Sequence, residues 1–132
     1  MNMLDPRRFY KELGNLFYAI AAADKNITAK EKQYLEEEIQ HTWKHHDHTT
    51  DRFGTDRAFL IEFEFETMEE EFETAENAYQ SFETFFKENK NQVDHNTRLR
   101  IYNSARHIAE NMRKITRDER RYLERLKAIM KI

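Results

Sequence analysis

Cysteine is absent from this sequence of 132 residues. The chain can therefore build neither a disulfide framework nor a zinc–thiolate site, and it has no cysteine nucleophile. Proteins of reducing compartments suit such a composition, which favours a cytoplasmic location. No apolar run approaches the ~20 residues that a membrane-spanning helix needs. The first residues also lack the apolar core of a signal peptide.

Proline and glycine are scarce, with one proline and two glycines in the chain. Few sharp turns are therefore available, and helices joined by short loops suit this composition. The net charge of −3 gives no excess of positive charge for binding nucleic acid. The sequence contains no Ser/His/Asp arrangement, phosphate-binding loop or dinucleotide fingerprint, and we therefore expect that it is not an enzyme.

The sequence does contain enough core-forming material for a globular domain. Apolar residues make up 39% and aromatic residues 13% of the chain, which is more than a disordered chain carries. The length is that of one domain. We therefore predict a single all-α domain over residues 1–132, folded as a compact helical bundle of about five to seven helices.

Two helix starts can be located in the N-terminal third. Asp5 and Pro6 are typical of a first helical turn, with an acidic cap followed by proline. Thr28 and Glu31 match the capping box, in which the threonine caps a backbone amide and the glutamate reaches back to the threonine amide. Apolar residues at helical spacing follow each start, and we expect the second helix to run to about His46.

The segment 56–89 has neither glycine nor proline and carries an unbroken heptad seam. The seam residues are Ile61, Phe65, Met68, Phe72, Ala75, Tyr79, Phe82 and Phe86. As one helix it would be roughly 51 Å long, whereas a domain of this size has a diameter of about 36 Å. It must therefore kink, break into two helices, or project and pair with another chain. Thr67 and Thr74 are the candidate weak points. The apolar–acidic alternation in 59–66 resembles a strand, but the seam passes through it and favours a helix.

The C-terminal part repeats the N-terminal pattern at a shift of 88 residues. Thr116 and Glu119 form a second capping box, and the sequence Tyr-Leu-Glu follows both Glu31 and Glu119 at the same distance. We infer two helix-turn-helix units, about 6–46 and 97–131. We expect them to pack with internal pseudo-symmetry around a long middle helix or helix pair.

Residues 21–31, AAADKNITAKE, and their C-terminal echo resemble the tellurite-resistance TerB-like family. The resemblance implies an all-helical bundle and a non-enzymatic protein linked to stress responses at the inner face of the membrane. It also implies divalent-metal binding by acidic residues of the turn, which here are Asp24 and Glu31. The sequence departs from the family at Lys25, where glycine is usual, and at Met112, which occupies the aspartate position in the second copy.

The residues of this turn allow two interpretations. Asp24 and Glu31, with Asn26 and Thr28, supply the oxygen ligands that Ca²⁺ or Mg²⁺ prefers. Alternatively, Glu31 only caps the helix and Asp24 is a solvated turn residue, because capping alone explains the recurring spacing. An aspartate at the C-terminal end of a helix is mildly unfavourable. Asp24 is therefore the residue on which a function of this turn would rest.

A histidine cluster is the second candidate metal site. His41, His45 and His48 are spaced to share one face of a helix, where imidazoles can chelate Zn²⁺ or Ni²⁺. The alternative is a solvated helix end. A metalloenzyme that uses this cluster is a third hypothesis for function.

Charge is distributed unevenly along the chain. Residues 56–89 carry a net charge of −9 and residues 98–132 a net charge of +7. The basic end either docks on nucleic acid or anionic lipid, or is solvated or paired with the acidic segment. We expect no nucleic-acid binding, because aromatic side chains for base stacking are not interleaved with the C-terminal arginines. Peripheral membrane association stays open.

Two functions from different classes fit the sequence. The leading hypothesis is a non-enzymatic TerB-like module that is divalent-metal-responsive or acts as a scaffold in a stress response. The alternative is a helical interaction module without a metal site, which binds a protein partner or dimerises through residues 56–89.

Overall fold

The chain folds into α-helices, as the computed structural model shows for the residues that it describes, 4–24, 27–44, 46, 56–110 and 115–132. These residues contain six α-helices and no β-strand, which confirms the all-α prediction. None of these helices is long and apolar enough to cross a bilayer. The helices are α1 Pro6–Ala22, α2 Ala29–Glu38, α3 Leu60–Glu70, α4 Ala75–Asn89, α5 His95–Glu110 and α6 Arg117–Met130.

Short turns of other helix types extend these elements. A π-helical turn, Ile39–Trp43, continues α2, so the second helical segment ends close to the predicted His46. A 3-10 turn at Arg57–Phe59 precedes α3, and another at Lys90–Gln92 follows α4. Residues 47–55, whose polar sequence with Gly54 predicts a loop, lie outside the described residues.

Helix α1 lies at the centre of the bundle. The Asp5 carboxylate accepts a hydrogen bond from the Arg7 amide at 3.1 Å and Pro6 occupies the first turn, as the sequence predicted. The helix packs against α3, α4, α5 and α6. Its side chains are buried on nearly every side, since Leu13, Phe17 and Ile20 have no exposed surface.

The crossing of α1 and α3 depends on a glycine. A Cβ atom at Gly14 would lie 2.6 Å from the carbonyl oxygen of Ile61 and 2.8 Å from the Cβ atom of Glu64. Both distances are shorter than a real Cβ contact, so the absence of a side chain lets the two backbones approach.

The middle segment forms a helix pair, α3 and α4, rather than one long helix. Both helices pack on α1, and five residues of the heptad seam are at most 2% exposed. Most of the seam therefore lies inside the chain, while Phe72 is exposed. A partner that meets residues 56–89 would contact their outer surface. The five residues are Ile61, Phe65, Tyr79, Phe82 and Phe86.

The chain breaks between α3 and α4 at one of the two predicted weak points. Phe72 has a left-handed backbone with φ 55°. Its amide donates to the Glu69 carbonyl at 3.2 Å, and the Glu73 amide donates to the Met68 carbonyl at 3.1 Å. These two bonds form a Schellman motif. Thr74 then caps α4 by accepting from a backbone amide, whereas Thr67, the other candidate, lies inside α3.

Phenylalanine is an unfavourable residue for the left-handed position, and its side chain is 89% exposed. We expect Phe72→Gly to raise the free energy of unfolding by about 1 kcal/mol, because glycine adopts positive φ without a Cβ clash. Urea denaturation measures this change. Lys131→Gly is the matched control, since Lys131 has the same φ of 55° at the end of α6. If Lys131→Gly stabilised the chain and Phe72→Gly did not, the Phe72 ring would have to make a stabilising contact in the folded chain.

Candidate functional site

Both capping boxes form as the sequence predicted. The Thr28 hydroxyl accepts from the Glu31 amide at 3.1 Å, and Oε1 of Glu31 accepts from the Thr28 amide at 2.9 Å. At the start of α6, the Thr116 hydroxyl accepts from the Glu119 amide at 3.2 Å, and Oε1 of Glu119 accepts from the Thr116 amide at 2.9 Å. The 88-residue repeat therefore produces the same local structure twice.

The fold brings these two capping glutamates together. Glu31 and Glu119 are each 1% exposed, although carboxylates are rarely buried so completely. The two side chains are near enough for a hydrogen bond between them when one carries a proton. Oε1 of each residue serves its own capping box, while Oε2 of each has no hydrogen-bond donor within the described part of the chain. A carboxylate accepts but cannot donate, so two ionised carboxylates cannot satisfy each other.

Burial sets the ionisation of this pair. It raises the pKa of Glu31 to about 7, against the opposing effect of the hydrogen bonds from Thr28, and the negative charges of Glu119 and Asp24 raise it further. Burial likewise raises the pKa of Glu119, and the charge of Asp24 adds to that effect. One group of the pair therefore holds a proton more readily than an exposed glutamate does.

Asp24 lies at the end of α1, half-buried, and acts electrostatically on both glutamates. Of its predicted helpers, Thr28 is committed to the capping box and Asn26 lies outside the described residues. Within the described ranges, no group of three or more His, Cys, Asp or Glu side chains is arranged to hold a metal ion. The arrangement thus provides two converging carboxylates with a third nearby.

The histidine cluster is only partly described. His41 is exposed on the π-helical turn, whereas His45 and His48 lie outside the described residues. The predicted zinc or nickel site therefore stays a prediction.

A second buried polar network was not predicted. Oε2 of Glu38 accepts from the Ser104 hydroxyl at 2.7 Å, and the Ser104 oxygen accepts from Trp43 Nε1 at 3.0 Å. His107 pairs with the other Glu38 oxygen, so the network ties the end of α2 to α5. A serine on the apolar face of α5 was the available signal, because Ser104 stands between Ile101 and Ala105.

The acidic and basic parts of the chain meet at one bidentate ion pair. Arg125 donates to both carboxylate oxygens of Glu76, at 2.7 and 3.1 Å, and the Tyr122 hydroxyl donates to the same group at 3.1 Å. The hydrogen bonds from Arg125 lower the pKa of Glu76 to about 2. This contact supports the interpretation in which opposite charges pair within the chain.

Comparison with protein-family models, curated proteins and solved structures found no match to this chain. The resemblance to the TerB-like family therefore rests on the sequence pattern of the two turns.

Proposed function

We propose that the chain is a non-enzymatic, TerB-like helical module that responds to a divalent cation bound between Glu31 and Glu119. One observation carries this proposal: two carboxylates, each 1% exposed, lie close to each other, and one oxygen of each has no donor among the described residues. A buried unsatisfied charge is costly. Either a shared proton or a cation removes that cost.

The chemistry of the donors favours Ca²⁺ or Mg²⁺. The site offers carboxylate oxygens, which hard cations prefer. Asp24 adds negative charge nearby, because it acts electrostatically on both glutamates. Ca²⁺ fits better, because it accepts irregular geometry and bidentate carboxylates, whereas Mg²⁺ requires a near-ideal octahedron. Water would complete the coordination shell in either case.

The position of the pair supports a regulatory role. Glu31 lies in the first turn of α2, and Glu119 lies in the first turn of α6. A cation held by both would join two helical turns that are 88 residues apart in sequence. Since the pKa of Glu31 is about 7, proton and cation compete near neutral pH. The module would thus respond to the concentration of the cation and to pH together.

Titration with Ca²⁺, Mg²⁺ and Zn²⁺ at pH 7.5, followed by melting temperature, tests the proposal. We expect Ca²⁺ to raise the melting temperature of the wild type, because a ligand at 100 times its Kd stabilises the folded state by about 2.7 kcal/mol. The effect should be lost in Glu31→Gln/Glu119→Gln, which keeps both capping oxygens. Glu36→Gln/Glu37→Gln is the matched control, since both glutamates are exposed on α2.

Two results would contradict the proposal. One is an unchanged melting temperature with every ion. The other is an equal shift in the wild type and in the Glu31/Glu119 double variant. A shift with Zn²⁺ alone that disappears in His41→Ala would instead favour the histidine cluster.

A second candidate function is that of a protein-interaction module. Exposed phenylalanines favour it, because Phe63 is 64% and Phe72 is 89% exposed. Neither aromatic ring contributes to the buried core, and an exposed aromatic side chain is a common anchor in protein interfaces.

A further inference from the structure

A groove of about 590 Å³ opens beside the turn between α3 and α4. The groove is formed by the end of α1 with Ala23, by Ile27, by the end of α3 with the turn that follows it, by the start of α4, and by α6. Its apolar floor comprises Tyr18, Ala22, Ile27, Ala75 and Tyr122.

Phe72 stands at the edge of this groove. Its ring is the most exposed large apolar side chain of the described residues, although the heptad pattern assigns the position to the core. Its left-handed backbone keeps the residue outside both helices. Burial of the ring against a partner would remove a large apolar surface from water, and its face is open to a cation.

The rim of the groove is strongly acidic. Glu69, Glu73 and Glu76 line it, and Glu70 and Glu71 precede Phe72 directly. Lys32 neutralises Glu69 at 2.8 Å and Arg125 neutralises Glu76. Glu70 and Glu71 are exposed and make no ion pair with any described residue.

The negative charges of the rim also act on Tyr18 in the floor of the groove. The Tyr18 hydroxyl donates to the Glu73 carbonyl at 2.7 Å. Its pKa is raised first by burial and then by the negative charges of Glu69 and Glu73. A partner that enters the groove therefore meets an apolar floor, one exposed aromatic ring and excess negative charge. Lysine or arginine side chains of a partner would neutralise this negative charge, and one large apolar side chain would cover the apolar floor.

We propose that this groove binds a short basic, amphipathic segment of a partner protein. A leucine-like or aromatic side chain of the segment lies on the floor beside Phe72. Its lysines or arginines face Glu70 and Glu71, and one of them covers the Phe72 ring. This interaction does not require a cation at Glu31 and Glu119, so it is independent of the proposed metal response.

A fluorescein-labelled 12-residue peptide with leucine and lysine at helical spacing tests the proposal by fluorescence anisotropy. We expect it to bind the full chain and to lose at least about tenfold in affinity with Phe72→Asn, since asparagine tolerates the left-handed backbone. Phe63→Asn is the matched control and should change the affinity less than about twofold. Circular dichroism verifies that each variant is folded.

Charge is tested separately. Glu70→Lys/Glu71→Lys should weaken binding at least about tenfold, whereas Glu36→Lys/Glu37→Lys changes the net charge equally on α2 and should weaken it less than about threefold. A peptide with serine for leucine and one with glutamate for lysine should both fail to bind.

Several outcomes would overturn the proposal. Equal losses from the Phe72 and Phe63 variants would show that the groove is not the site. Equal binding of the serine peptide would show an interaction by charge alone, and no binding of the leucine–lysine peptide at 1 mM would remove the proposed partner. Phe72-dependent binding to phosphatidylcholine vesicles, without binding to the peptide, would assign the surface to a membrane instead.

Discussion

Glu31→Gln is expected to raise the free energy of unfolding at pH 8 by roughly 3 kcal/mol in a buffer without divalent cations. Glutamine keeps the capping oxygen that accepts from the Thr28 amide. Its amide group should also donate to Oε2 of Glu119, which has no donor within the described ranges. The substitution thus removes one charge from a buried like-charged pair and completes its hydrogen bonding.

Glu31→Gln should also change how the stability of the chain depends on pH. The folded chain holds the Glu31 proton up to about pH 7, whereas an ordinary glutamate loses it near pH 4.5. Between these values the folded state binds more protons than the unfolded state, so stability falls as pH rises through this window. We expect Glu31→Gln to reduce this slope and to raise the melting temperature at pH 8 by roughly 10 °C.

Urea denaturation from pH 5 to pH 8 with a chelator present measures both effects. Glu36→Gln, an exposed residue on α2, is the control for a change of one charge. Glu76 does not obscure the window, because its pKa is lowered to about 2 and its contribution is lost only as pH falls below 4.5. Loss of stability in Glu31→Gln at pH 8 would contradict the carboxylate pair.

Gly14→Ala is the second substitution with a large expected effect. Inside a helix this change normally stabilises by up to about 1 kcal/mol. At this position we expect a loss on the order of 3 kcal/mol, because the new Cβ atom would lie 2.6 Å from the Ile61 carbonyl oxygen. That oxygen is part of the α3 backbone and cannot rotate away, so α1 and α3 must separate.

Thermal and urea denaturation of Gly14→Ala measure this loss. Asn103→Ala, on the exposed side of α5, reports the ordinary gain from alanine in a helix of the same chain. If Gly14→Ala gave the same gain as this control, α1 and α3 would have to be farther apart than the structure shows.

Local patterns allowed much of the fold to be predicted. A capping box involves residues three positions apart, so both boxes could be identified from the sequence alone. Thr74, which caps α4, was one of two predicted weak points of the middle segment, but its role as a cap was not predicted. The heptad seam identified the buried face of the middle pair, because helical periodicity reports burial directly.

Contacts between distant residues were not predictable in this way. Capping and metal binding stood as alternatives for Glu31, but the structure shows that Oε1 caps while Oε2 has no donor among the described residues. That Glu119 faces Glu31 depends on packing across 88 residues. Phe72 fits the heptad seam but follows the end of α3, and nothing local indicated that Gly14 lies against a helix backbone.

The two capping glutamates come from distant parts of the sequence, so their shared ionisation requires the complete chain. A fragment with α1 and α2 would contain one capping glutamate, and a fragment with α5 and α6 would contain the other. Neither fragment has a second capping carboxylate, so neither can share a proton or a cation between the two turns. The loop that the pair closes spans most of the sequence, and its entropic cost grows only with the logarithm of its length. The two glutamates can therefore share a proton or a cation only when α2 and α6 have packed into the same bundle.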